Sequence, residues 1–82
     1  MNSDYILVSG LKDPQRLEAY FASNLVDIAY AEPISGSSMK VLVEPDTDLR
    51  TQNNVDWILG LVIDALRSNE ETAFVAEIVR GV

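Results

Sequence analysis

Acids and hydroxyls are the only side chains with which chemistry could begin in this chain, because its 82 residues include no histidine and no cysteine. A nucleophile–base pair would have to join a serine to a lysine or an aspartate. Of Ser9, Ser35, Ser37 and Ser38, the last three have Lys40 nearby, in the run S-G-S-S-M-K. Serines around a glycine are turn chemistry, so that run is read as a hairpin loop. Glu44, Asp46 and Asp48 alternate ahead of a helix and could hold a hard cation, but they do not make an EF-hand loop. Thr51 stands where the loop needs glycine, and Trp57 where it needs a bidentate glutamate. Capping and solvation explain these acids. Asp56 and Asp64 lie two helical turns apart, too far to share a proton. Gly10 lacks the companion glycines of a phosphate loop. Zinc, haem and non-haem iron draw on Cys or His. The expectation is no catalytic residue, no metal and no cofactor, with enzymatic activity last among the functions.

What those side chains hang on is clearer. V-D-W-I-L-G-L-V-I-D-A-L, residues 55–66, is a helix on which the rest is organised. Val55, Ile58, Leu59, Val62, Ala65 and Leu66 recur at three- and four-residue spacing and form its core stripe. Asp56, Gly60, Asp64 and Arg67 form the polar row. Trp57 and Leu61 are left over beside the stripe. They either widen the core face or form a second surface for a partner chain. Thr51, Asn53 and Asn54 are the candidate caps.

A chain this short makes one domain and buries only roughly 60% of its unfolded surface. Its hydrophobic share of 48% is enough for a core, which sets disorder aside. Thirteen acids against six bases give a net charge of −7. Lys12, Arg16, Lys40, Arg50, Arg67 and Arg80 are scattered singly, so no basic footprint for nucleic acid forms. The acidic M-N-S-D start is unlike a signal peptide. No apolar run is long enough to span a bilayer. The expectation is a cytoplasmic protein without direct contact to nucleic acid or membrane.

In chain order, Tyr5-Ile6-Leu7-Val8 is a continuous apolar run, hence a central strand at residues 4–9. Asp13 caps a helix at 14–24, with Pro14 in its first position. Residues 26–33 alternate, placing Val26, Ile28 and Tyr30 on one face and Asp27, Ala29 and Ala31 on the other; Pro33 makes this an edge strand. A hairpin leads to a strand at 39–44, the helix follows at 53–67, and a last strand spans 72–80. Strand, helix, strand, strand, helix, strand is the α+β, ferredoxin-like split βαβ pattern. It predicts a four-stranded antiparallel sheet in the order 4-1-3-2 with both helices on one face.

The other face of that sheet is then too apolar for a solvated one. Tyr5, Leu7, Ala29, Ala31, Leu42, Val75 and Val79 fall on it, interrupted by Asp27, Lys40, Glu44 and Glu77. Leu7, Leu42, Val75 and Val79 are therefore candidate protein-interaction residues, with Trp57 and Leu61 as a second patch. The blander explanation is the β-propensity of Val and Leu.

Two short segments resemble known families. V-S-G-L-K-D-P-Q-R-L resembles the opening of ACT domains, in which a strand, an Asp–Pro–Gly-type turn and a Leu-led helix form an amino-acid site. Asp13, Pro14 and Leu17 match in type, and Gln15 stands in place of the glycine. The resemblance implies a ligand loop around Gly10 and Asp13, near the loop from Ser35 to Ser38. D-P-Q-R-L-E-A-Y-F is similar to the first helix of dimeric α+β barrel proteins of the monooxygenase-like kind, whose characteristic histidine is missing here. The functional expectation is a small acidic protein-interaction module that binds a protein partner and self-associates as a homodimer. The alternatives are an ACT-like small-molecule sensor and a phage-type acidic inhibitor of a nucleic-acid enzyme.

Overall fold

The computed structural model describes residues 4–43 and 52–80. Its elements run β1 (Tyr5–Ser9), α1 (Pro14–Asn24), β2 (Ala29–Pro33), β3 (Ser38–Val43), α2 (Gln52–Ser68) and β4 (Val75–Val79). The strands form one antiparallel sheet in the order β2-β3-β1-β4. Counted from the β4 edge, the same neighbour pairs read 4-1-3-2. The apolar strands β1 and β3 are central, and Pro33 sits on an edge, where a missing N–H is tolerated.

Each helix turns one stripe inward. Asp13 caps α1, its Oδ1 accepting from the Arg16 N–H at 3.2 Å, and Leu17 and Phe21 are buried. On α2 the buried residues are Val55, Ile58, Val62, Ala65 and Leu66, while Asp56, Gly60, Asp64 and Arg67 are exposed. These stripes share one core with Ile6, Val8, Ala29, Ala31, Met39 and Val41 of the sheet. The strand pairs Ile6–Val41, Val8–Met39 and Ala31–Val41 put those residues on a single face, so both helices cover that face. Val62→Ala is expected to cost about 1–3 kcal/mol through the cavity it leaves, and Asp64→Ala less than about 0.5 kcal/mol. Urea melts of the two variants check this; equal losses would mean α2 is rotated about its axis.

The second strand departs from expectation. Val26 to Ile28 form a turn, with Asp27 at φ 63°, and the N–H groups of Ile28 and Ala29 both donate to the Leu25 carbonyl, at 3.0 and 3.1 Å. The strand begins only at Ala29, and its faces are the reverse of those predicted. Ala29 and Ala31 are buried in the core, while Tyr30 is 49% exposed and Val26 58% exposed. The reason lies in Glu32, which shares Tyr30's side of the strand. A phase that buried Tyr30 would also bury that carboxylate against apolar neighbours. The small alanines inside instead let α1 pack closely on β2.

Smaller shifts follow the same logic. β4 begins at Val75 rather than residue 72, with Phe74 half-buried just before it. Asn53 and Asn54 lie inside α2 and do not cap it. Thr51, Glu44, Asp46 and Asp48 lie outside the described residues. At the other end of β1, the buried Asp4 carboxylate pairs with Arg80 at 3.3 Å, tying the start of β1 to the end of β4. Among the described residues, no helix is long and apolar enough to cross a membrane.

Candidate functional site

The sheet face away from the helices carries three rows of side chains. The strand register fixes them, because residues paired across antiparallel strands point to the same side. In the first row, Tyr30 pairs with Leu42 and Tyr5 with Val79. Leu42 and Tyr5 adjoin one another, each being one step beyond the Ile6–Val41 pair. In the second row, Glu32 pairs with Lys40, Lys40 with Leu7, and Leu7 with Glu77. The third holds Ser38, Ser9 and Val75.

Position in the sheet then sorts these residues. Leu42, Lys40, Tyr5 and Leu7 lie on the central strands, and Glu32, Tyr30, Glu77, Val75 and Val79 on the edges. Both carboxylates are at the margin, while apolar groups stand in the middle and, as Tyr30, Val75 and Val79, on the edges as well. Lys40 does not break the apolar centre, because its ammonium lies 4.9 Å from the centroid of the Tyr5 ring. The cation rests on the ring face, and the lysine stem adds apolar surface. Leu7, Leu42 and Val79 are half-buried, and Val75 is 63% exposed. All four stand on this open face, where the sequence placed them. Ala29 and Ala31 do not: both belong to the core. Tyr30 and Glu32 take their place, and the shared parity of those two residues was the signal for it.

The two α2 residues separate. Leu61 is half-buried and packs on the core, whereas Trp57 is 50% exposed. Among the described residues of α2, what remains there is one exposed tryptophan beside the polar row. An apolar cleft of about 240 Å³ lies between α1 and the β2 edge, lined by Glu18, Ala22, Tyr30 and Ala31.

The loop from Gly10 to Asp13 is held from three sides. The Leu11 N–H donates to the Ser37 carbonyl at 2.9 Å, which fastens the loop to the β2–β3 hairpin. Gly10 has φ 75°, and a side chain there would press into the Ala73 carbonyl oxygen. The third tie is Glu71, a fully buried carboxylate that no local sequence pattern announces. The Lys12 N–H donates to its Oε1 and Oε2 at 2.9 and 3.0 Å, and the Asp13 N–H donates to Oε2 at 3.0 Å.

The end of α2 explains how Glu71 arrives there. Glu70 has φ 66°, its N–H donates to the Arg67 carbonyl, and the Glu71 N–H donates to the Leu66 carbonyl. This pair of bonds is a Schellman cap, with glutamate in the left-handed position that glycine usually fills. Asn69 reinforces the joint: its Oδ1 accepts from Arg16 Nε at 3.1 Å, and its Nδ2 donates to the Ala65 carbonyl at 2.7 Å. Negative charge at the first turn of a helix is favourable. Here the chain's own carboxylate holds the loop amides to which a small anionic ligand would bind.

No known protein family, no curated protein and no solved structure matches the chain.

Proposed function

We propose that this chain is a ferredoxin-like βαββαβ module that acts by binding protein through its open sheet face. One observation carries the reading: apolar side chains run across all four strands of this face, Tyr5, Leu7 and Leu42 on the central strands and Tyr30, Val75 and Val79 on the edges, and its two carboxylates, Glu32 and Glu77, stand on the edge strands. A merely solvated face would alternate polar residues across all four strands. Glu71 weighs in the same direction, since it already occupies the N–H groups an amino-acid ligand would need at the Gly10–Asp13 loop. The scattered bases give nucleic acid no footprint, so the partner in this reading is a protein met in the cytoplasm.

The reading predicts that Leu42→Lys abolishes capture of a protein partner from a lysate of the native cells. An unpaired ammonium on a central strand of the contact has to be desolvated. Circular dichroism melts should show the variant folded, because Leu42 is outside the core cluster. Equal capture by wild type and variant, both folded, would sink the reading.

A further inference from the structure

The free edge of β2 is blunted at both ends and open in the middle. β2 pairs with β3 on one side only. Along such a pairing, the backbone groups of successive residues alternate between the partner strand and the outside. The Ile34 N–H donates to the Ser38 carbonyl at 2.9 Å, which makes Ile34–Ser38 a hydrogen-bonded pair. Counting back in twos, Glu32–Lys40 and Tyr30–Leu42 are hydrogen-bonded pairs as well. Ala29, Ala31 and Pro33 therefore turn their backbone groups outward. Two observations agree with that phase. The Ala29 N–H donates away from β3, to the Leu25 carbonyl at 3.1 Å, and proline stands at an outward position, where its missing N–H costs no ladder bond. What is left is a complete donor and acceptor at Ala31, flanked by the carbonyls of Ala29 and Pro33.

The cleft of about 240 Å³ between α1 and β2 lies at the same place. Tyr30 and Ala31 both line it, together with Glu18 and Ala22. Neighbouring strand residues point to opposite faces, so a cleft that both line runs along the free edge itself. We propose that this edge docks a short extended segment of a partner protein that carries a lysine or arginine opposite Ala31. The segment adds a strand to the sheet, antiparallel to β2, the more stable pairing. It exchanges two hydrogen bonds with Ala31 and donates to the carbonyls of Ala29 and Pro33. The contact rests on the backbone of β2 and not on the open face.

The cleft selects the side chain. A residue opposite Ala31 points to Ala31's side of the sheet, toward α1. There it meets the methyl groups of Ala22 and Ala31 and the exposed carboxylate of Glu18. An aliphatic stem with a cation at its tip suits both. The charges nearby have the matching sign. Residues 14–33 carry Arg16, Glu18, Asp27 and Glu32, and Arg16 is turned away to Asn69 beyond α2, its Nε donating at 3.1 Å. Another copy's β2 would instead bring its own Glu32 to an edge that already holds Glu18 and Glu32. The blunted ends set the length: only a short strand gains from pairing here.

The probe is an end-blocked eight-residue peptide of threonine and valine with one lysine at its fourth position, titrated into the isotope-labelled chain. The expected result is saturable amide shifts centred on Glu18, Ala22 and Ala31, with exchange of the Ala31 N–H slowed at least tenfold. The same peptide N-methylated at the lysine keeps its charge but loses the bond to the Ala31 carbonyl, and should bind about tenfold more weakly. Glu18→Lys, an exposed change outside the core, should weaken the unmodified peptide about fivefold. Equal binding of the N-methylated peptide would mean charge attraction without strand addition and would overturn the site. Shifts centred on Ala76 and Ile78 of the β4 edge, or no saturable shift at millimolar peptide, would overturn it too. Leu42→Lys reads the open face separately, so that reading stands or falls on its own.

Discussion

Glu71→Ala is expected to destabilise the fold by about 2–4 kcal/mol. The carboxylate is fully buried and accepts three hydrogen bonds from the Lys12 and Asp13 N–H groups. Only two donors are involved, since the Lys12 N–H is shared between both oxygens, and leaving each unpaired costs roughly 1–3 kcal/mol, partly offset by water that reaches the exposed side of the loop. Removing the side chain also leaves a cavity between α1 and the end of α2. Glu71→Gln keeps the volume and one acceptor oxygen but points an amide NH₂ at N–H donors. It should lose about half as much. Urea melts measure both, and amide hydrogen exchange at Lys12 and Asp13 localises the loss. A Glu71→Ala midpoint within error of wild type would show that the carboxylate does not hold the loop.

Gly10→Ala should cost about 2–3 kcal/mol at the same end of the molecule. Two effects combine. The backbone sits at φ 75°, where a side chain costs roughly 1–2 kcal/mol, and the new Cβ would press on the Ala73 carbonyl, a backbone atom that cannot swing aside. Gly36 is the control. A Cβ there meets nothing within 4 Å, so Gly36→Ala should change stability by less than about 0.5 kcal/mol. Equal effects at the two glycines in thermal melts would mean that the loop yields and that the Ala73 carbonyl does not pin it.

These two residues show where the sequence ran out. Periodicity was enough for α2: its buried residues and its polar row both sit where three- and four-residue spacing puts them. Asp13 and Pro14 announced the start of α1 by cap chemistry alone. The centre of the sheet was legible from the apolar runs of β1 and β3, and an edge from Pro33. Local pattern failed where a turn borrows strand-like residues. Val26 and Ile28 continue the alternation of β2 but belong to the turn closed onto Leu25, and this reversed the faces of the strand. Long-range contacts fail for a different reason. Glu71 reaches Lys12 across 59 positions, and nothing in the run N-E-E-T distinguishes the buried glutamate from its exposed neighbour Glu70. The open face was partly legible, since Leu7, Leu42, Val75 and Val79 follow from strand parity, whereas Tyr30 and Glu32 needed the correct start of β2.

Capture of protein from a lysate of the native cells by the wild type, Leu42→Lys and Trp57→Ala tests most directly whether the open sheet face binds protein. The expected result is equal capture by the wild type and Trp57→Ala and none by a folded Leu42→Lys, because Leu42 stands on a central strand of that face and Trp57 on the exposed side of α2. A folded Leu42→Lys protein that captures as much as the wild type would contradict it, and loss of capture in Trp57→Ala alone would move the contact to the helix.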